Sequence, residues 1–97
     1  MGKASITNLL PAGRALQLRS SLGQELRRLR LEAKRSQASV SAPLTRAYVS
    51  QVEAGLTLPS LPALIVLAES LGTSADAILK SVNQTLNLEY PVRHEDH

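Results

Sequence analysis

The chain has 97 residues, enough for one domain, and its composition of 43% hydrophobic and 2% aromatic residues predicts an aliphatic core. It contains no Cys, which excludes disulfides and thiolate metal sites. No apolar run approaches the roughly 18 residues of a membrane span, and residues 1–3 lack the apolar stretch of a secretory signal, so we expect a cytoplasmic protein with no membrane partner. The net charge of +3 divides into +7 for residues 1–50 and −4 for residues 51–97, which favours a polyanionic partner, although a solvated basic helix explains this charge equally well.

The first part of the chain is weakly patterned. Pro11 and Gly13 interrupt residues 1–19, so we expect a flexible basic arm there. A first helix is predicted to begin at Ser21, because Gln24 three residues later completes a capping box. Its buried face is predicted from apolar residues at helical spacing: Leu22, Leu26, Leu29 and Ala33.

Four more helices are predicted, each from an N-cap residue, and three of them also from a stop signal. Ser36 caps a second helix over residues 37–42, and Pro43 ends it. Thr45 caps a third helix over residues 46–54, which buries Val49 and Val52 and ends at Gly55.

The fourth and fifth helices follow the same rules. Ser60 caps the fourth helix, with Pro62 in its first turn and Gly72 after its end. Ser74 caps a short fifth helix that ends near residue 80. The predicted buried residues of the two helices are Leu64, Leu67, Ala68 and Leu71, then Ile78 and Leu79. Alternation of Leu86, Leu88 and Tyr90 fits either a short strand or a tail.

Several short motifs occur in order over about residues 21–80. They are Leu22-Gly23, Leu26 to Arg30, Ser36-Gln37, Ser50 to Gly55, Pro59 to Leu61, Leu64 with Leu67-Ala68, and Leu71 to Ser74. Their order and spacing resemble the phage-repressor/Cro-like (XRE) helix-turn-helix family. The resemblance implies an all-α, compact five-helix, lambda-repressor-like DNA-binding domain at residues 20–81, with a flexible N-terminal arm at residues 1–19 and a short C-terminal tail or dimerisation segment at residues 82–97.

The resemblance also implies which residues contact DNA. Base contacts are expected from the third helix, at Arg46, Ala47, Ser50 and Gln51; Arg suits guanine and Gln suits adenine. The resemblance implies a backbone contact from Gln37, and further backbone contacts are expected from Thr45, Tyr48, Arg27, Arg28, Lys34 and Arg35. Helix capping is the alternative for Gln37, packing against the first helix is the alternative for Tyr48, and the alternative for Ser50 is that it makes no contact with DNA. Glu53 is implied to form a structural ion pair with Arg30 rather than to contact DNA.

Two features depart from the family pattern. The Pro43-Leu44 turn is about two residues shorter than usual, and the loop after Gly55, Leu56-Thr57-Leu58, lacks basic residues. Phosphate contacts are therefore expected from the first helix and from the arm, which carries Lys3, Arg14 and Arg19. Leu56 and Leu58 are expected either to pack under the fourth helix or to contribute to a dimer surface.

We therefore expect a sequence-specific regulator of transcription, a repressor that occupies an operator in double-stranded DNA as a homodimer. A monomer on an asymmetric site is one alternative, and an antitoxin-like module that binds a partner protein through the acidic second half or the tail is another. The chain-end cluster His94-Glu95-Asp96-His97 has no third distant ligand, so no metal is expected. Neither a positioned nucleophile nor a Gly-rich phosphate loop occurs, so we expect no enzyme activity and no cofactor.

Overall fold

The computed structural model describes residues 12–89, with side chains for residues 12–86. Over this range the chain forms five helices and no strand: α1 Ala12–Glu32, α2 Gln37–Ser41, α3 Arg46–Glu53, α4 Leu61–Ser70 and α5 Ala75–Glu89. Helix α1 packs against α3 and α5, α2 contacts α3 and α4, and α4 packs against α5. The all-α, five-helix prediction is confirmed.

Local capping rules place most of the helix ends. In four N-caps, a side-chain oxygen accepts a hydrogen bond from the backbone N–H three residues later: 3.1 Å at Ser36, 3.0 Å at Thr45, 3.2 Å at Ser60 and 3.3 Å at Ser74. Gly55 and Gly72 follow α3 and α4 with φ of +75° and +74°, as a left-handed C-terminal residue requires. These predictions are confirmed.

Helix α1 begins earlier than the sequence pattern indicates. The prediction of a start at Ser21 is wrong, because α1 begins at Ala12 and the capping-box residues lie inside it. Residues 12–19 of the predicted arm are helical, whereas residues 1–11 lie outside the described part of the chain. Ala, Leu, Arg and Gln, which are strong helix formers, make up residues 14–19. Leu18 also packs against the core, which favours continuing the helix.

Helix α5 ends later than predicted, at Glu89 rather than near residue 80, so the strand alternative is wrong for residues 86–89. Val82 is buried and Leu86 packs against the core, one and two turns after Ile78. This continued burial extends the helix. Residues 90–97, which include Tyr90 and the predicted metal-free cluster His94 to His97, lie outside the described residues.

The core is aliphatic, as the composition indicates. Its buried apolar residues are Leu22, Leu26, Val40, Val49, Val52, Ala63, Leu64, Leu67, Ala68, Ile78 and Val82. Leu29 and Leu71 are half-buried against it. The predictions of burial for Ala33 and Leu79 are wrong, since both are exposed. Leu79 follows the fully buried Ile78 and is turned by about 100° from it around the helix.

Helix α1 lies directly on the C-terminal end of α3 because Gly23 has no side chain. A Cβ at this position would overlap the carbonyl oxygen of Val52 and lie 2.7 Å from that of Glu53. Glycine is therefore required by space rather than by backbone conformation.

Within the described residues no single helix is long and apolar enough to span a membrane. Helix α4 and the part of α5 up to Leu86 have that length and composition only when taken together, and the chain bends by 104° between them.

Candidate nucleic-acid interface

Helix α3 divides into a buried face and an exposed face. Val49 and Val52 are almost fully buried and attach the helix to the core. The exposed face carries the residues predicted to contact bases: Arg46, Ala47, Ser50 and Gln51. At about 100° per residue these four positions fall within an arc of roughly 140°. The structure thus brings them together on one solvent-facing side; their contacts with bases stay a prediction.

A short turn joins α2 to α3. Helix α2 ends at Ser41, before Pro43 as predicted, and α3 begins at Arg46. Leu44, in the turn, packs against the core. Because α2 also packs against α3, the two helices form one unit that presents the exposed face of α3 to solvent. This arrangement is that of a helix-turn-helix.

An ion pair joins α1 to the C-terminal end of α3. Arg30 donates from Nε to Glu53 Oε2 at 2.7 Å and from Nη2 to Glu53 Oε1 at 2.9 Å. Its Nη1 donates to the Arg35 carbonyl oxygen at 2.8 Å. The side chains are 11% and 5% exposed for Arg30 and Glu53. Hydrogen bonding to Glu53 raises the pKa of Arg30 despite its burial. The pair that the resemblance implied is thus present.

This ion pair also determines the charge of the exposed face. Helix α3 contains two charged residues, Arg46 and Glu53. Arg30 neutralises Glu53 and buries it, so the exposed face of α3 presents a cation and neutral side chains but no unpaired carboxylate. A surface of this charge suits a polyanion.

The three predicted backbone contacts from the helix-turn-helix unit differ in how the protein already uses them. Gln37 is half-buried, and its Nε2 donates to Glu53 Oε1 at 3.2 Å, which leaves one amide hydrogen and the carbonyl oxygen for a ligand. Thr45 uses a lone pair as the α3 cap, which leaves its hydroxyl hydrogen. Tyr48 is half-buried and packs against the core, which limits how far its ring can reach toward a ligand.

Two exposed cations precede the helix-turn-helix unit in the chain, Arg27 in α1 and Lys34 just after its end at Glu32. Arg27 follows Gly23 by four residues, so it lies on the side of α1 that faces α3. Neither forms an ion pair with a described residue. Lys34 has φ of +56° where α1 ends, and the bonds from the N–H of Lys34 to Leu31 and of Arg35 to Arg30 complete a Schellman motif.

The structure places Arg28 away from this surface. Its guanidinium binds Glu25 at 3.0 and 2.7 Å and Glu32 at 2.6 Å, and the group lies beside Ser81 and Thr85 of α5. Two carboxylates around one cation give this group a net negative charge. The predicted phosphate contact of Arg28 therefore finds no support in the geometry, because the side chain is already bound on the α5 side.

Arg35 is bound by the protein in a comparable way. Its Nε and Nη2 donate to Ser39 Oγ and the Ser39 carbonyl oxygen at 3.0 and 2.8 Å, and Nη1 donates to the Ser70 carbonyl oxygen at 3.0 Å. A cation at the end of α4 complements the helix dipole. Arg35 thus joins α2 to α4, and its geometry favours a structural role over a phosphate contact.

Some residues that shape the surface escaped the sequence analysis. An isolated glycine within a helical pattern, such as Gly23, indicates close packing, and that signal was present in the sequence. No local pattern indicated the Arg35 bond to Ser70, which spans 35 residues.

The two leucines of the loop after Gly55 differ in burial: Leu58 packs against the core, whereas Leu56 is 73% exposed. No group of three or more metal-binding side chains occurs among the described residues.

Comparison with known proteins agrees with this geometry. The family described as "Helix-turn-helix domain" matches residues 21–79, more than half of the chain, so the chain belongs to this family. Among solved structures, the crystal structure of the clp gene regulator ClgR from Corynebacterium glutamicum has the same fold, with a TM-score of 0.68 and 24% sequence identity. That match covers 74% of this chain and 79% of the other. No curated protein gives a significant match.

Proposed function

We propose that this chain is a sequence-specific DNA-binding regulator of transcription. The observation that carries the proposal is the exposed face of α3, whose four polar or small side chains stand on a helix-turn-helix without an unpaired acidic residue. An α-helix fits the major groove, where each base pair offers a distinct pattern of donors and acceptors. The structurally similar ClgR is a clp gene regulator, which supports a role in regulation.

In this proposal each exposed residue of α3 has a chemical role. Arg46 donates two hydrogen bonds to guanine, Gln51 pairs with adenine, and Ala47 contacts the methyl group of thymine. Ser50 donates to a base edge or a phosphate. Arg27, Lys34, Gln37 and Thr45 contact phosphates and fix the register of the helix in the groove.

We propose that the regulator acts as a repressor and as a homodimer on a two-fold symmetric operator, with half-sites about one helical turn apart. Exposed apolar side chains on the outer faces of α4 and α5, namely Leu61, Ile65 and Leu79, offer surface for a second copy. Occupancy of the operator would exclude polymerase or a competing regulator. This mode of action places the protein in the cytoplasm, at its DNA site.

Selection from random duplex DNA, together with light scattering on the free protein, tests the proposal. An enriched palindrome and the mass of a dimer are expected. An enriched asymmetric site together with the mass of a monomer would support base reading by α3 and refute the homodimer. Absence of any enriched sequence at low salt would refute DNA reading and favour the antitoxin-like alternative, a module that binds a partner protein.

Two adjacent arginines provide a matched test of the phosphate contacts. Arg27→Gln removes an exposed cation on the α3 side, so the slope of log K against log salt should become shallower by about 0.9. Arg28→Gln removes a cation that two carboxylates already neutralise, so the slope should stay unchanged. Equal effects of the two substitutions would show that the position on the helix does not matter, and the proposed orientation on DNA would be wrong.

A further inference from the structure

Arg19 lies two residues before the segment that matches the helix-turn-helix family, yet it contacts the end of the recognition helix α3. Its Nε donates to the carbonyl oxygen of Gly55 at 3.3 Å in a partly buried position. The backbone of α1 is also close here, since a Cβ on Gly55 would stand 3.2 Å from the Cα of Ser20. The part of α1 that precedes the family domain therefore packs on Gly55, just after the C-terminal end of α3.

The Gly55–Leu56 peptide unit connects this contact to the reading face. Its carbonyl oxygen accepts from Arg19, and its N–H, on Leu56, donates to the carbonyl oxygen of Gln51 at 3.0 Å. The Gly55 N–H donates to Val52 at 3.0 Å, which completes a Schellman motif. Hydrogen bonds at the two ends of one peptide unit polarise each other in the same direction. A continuous path thus runs from Arg19 to the backbone of Gln51.

The charge of Arg19 suits this position. The carbonyl oxygens at the C-terminus of a helix carry partial negative charge, which a cation stabilises. Helix α3 has no basic residue in its own last turn. Arg19 supplies from α1 the positive charge that α3 lacks.

We propose that Arg19 is a positioning residue for base reading, which holds the Gly55–Leu56 peptide and thereby fixes the last turn of α3 and the side chain of Gln51. This inference rests on the proposed DNA-reading function. It differs from the sequence expectation that Arg19 contacts a phosphate directly. A direct contact would contribute to the salt dependence of binding and would not contribute to the choice of base.

Binding measurements distinguish the two roles. Two DNA duplexes are titrated at several salt concentrations: the operator selected by the full chain, and the same operator changed at the base that Gln51 reads. Each duplex is titrated with the unmodified protein and with the variants Arg19→Gln, Arg19→Lys and Lys80→Gln. For Arg19→Gln we expect the operator-to-mismatch ratio to fall on the order of tenfold, the size of one charge-assisted hydrogen bond, with the salt slope unchanged. Arg19→Lys, which retains the charge, should recover part of the ratio, and Lys80→Gln, on the exposed side of α5, should behave like the unmodified protein.

A salt slope shallower by about 0.9 with an unchanged ratio would overturn the proposal and make Arg19 a phosphate contact. An unchanged slope and an unchanged ratio would also overturn it. A fall in the ratio for Lys80→Gln as large as that for Arg19→Gln would overturn it too, since the effect would not be specific to the α3 terminus.

Amide hydrogen exchange tests the same contact without DNA. The Leu56 N–H, bonded to Gln51, should exchange about three- to tenfold faster in Arg19→Gln. The Thr73 N–H, which makes the equivalent bond to Ala68 at the end of α4 at 2.9 Å, is the internal control and should not change. Equal acceleration of both amides, or none, refutes the local contact. If the protein selects no DNA, the proposed function and the base-reading role both fail, while faster exchange at Leu56 alone still establishes Arg19 as a helix cap.

Discussion

Glu53→Ala should destabilise the protein strongly because it removes one half of a buried ion pair. The substitution leaves the Arg30 guanidinium, whose side chain is 11% exposed, without its carboxylate partner. Of its bonds, the one from Nη1 to the Arg35 carbonyl oxygen remains. The Gln37 amide loses its acceptor at the same time. A buried cation that has lost its counter-ion cannot regain full hydration, so the cost exceeds the value of the lost hydrogen bonds.

The expected loss is at the lower end of about 3–5 kcal/mol, since one hydrogen bond to Arg30 remains. Because the free energy of unfolding of a small domain is roughly 5–15 kcal/mol, this loss is a substantial part of the total stability. At about 4–8 °C per kcal/mol for a domain of this size, the melting temperature should fall by roughly 12–24 °C. Arg30→Met added to Glu53→Ala removes the unpaired charge and should restore part of the loss.

Glu32→Ala is the matched control. Glu32 also binds an arginine, at 2.6 Å from Arg28, which is no longer than the 2.7 Å of the buried pair. Its side chain is 62% exposed, so water replaces the lost partner and the expected cost is at most about 1 kcal/mol. Thermal melts followed by circular dichroism measure both variants under one condition. If the two substitutions lower the melting temperature equally, burial does not determine the strength of these pairs and the reasoning is refuted.

Four further predictions concern separate residues. Gly23→Ala should lower the free energy of unfolding by about 1–3 kcal/mol in thermal melts, because overlap with the Val52 carbonyl outweighs the roughly 1 kcal/mol gained in helix propensity; a higher melting temperature would mean that the helices separate without cost. Lys34→Gly should raise the melting temperature, since glycine adopts a φ of +56° without strain, and should weaken binding to all DNA sequences alike. Arg46→Ala should cost about 1–3 kcal/mol at a single base position in repeated selections while leaving the melting temperature nearly unchanged, and intact specificity would show that the reading face is misplaced. The hydrogen bond from Arg28 lowers the pKa of Glu25 below its ordinary value of 4.5. The ionised Glu25 therefore stabilises the fold fully above pH 4.5, and this stabilisation is lost as the pH falls through the lowered pKa. The melting temperatures of the unmodified protein and of Glu25→Gln should differ at neutral pH and converge in acid.

The elements that the sequence predicted correctly depend on local chemistry. An N-cap hydroxyl bonds an N–H three residues away, and a left-handed glycine closes the helix that precedes it, so Thr45 and Gly55 bound α3 wherever the helix packs. The exposed face of α3 follows from helical periodicity once Val49 and Val52 are assigned to the core. The candidate reading face was therefore predictable residue by residue.

The same local rules were wrong where burial decided the outcome. The Ser21-Gln24 pattern satisfies a capping box, but nine helical residues precede it because strong helix formers and the packing of Leu18 continue α1. Leu86 extends α5 for a related reason, since contact with the core outweighs a weak local pattern. Sequence periodicity does not report contacts between distant elements.

The sequence alone thus determined five helix-forming segments, the N-caps of α2 to α5 and the face of α3 that meets solvent, because these depend on residues within one or two turns of each other. The tertiary structure decided what three of the arginines of α1 contact. Arg30 meets the buried carboxylate of α3, Arg28 is held by the carboxylates of Glu25 and Glu32 beside α5, and Arg19 reaches the peptide that follows the end of α3. Because the three residues are of one type and belong to one helix, only the packing of α1 between α3 and α5 distinguishes the contacts that each of them makes.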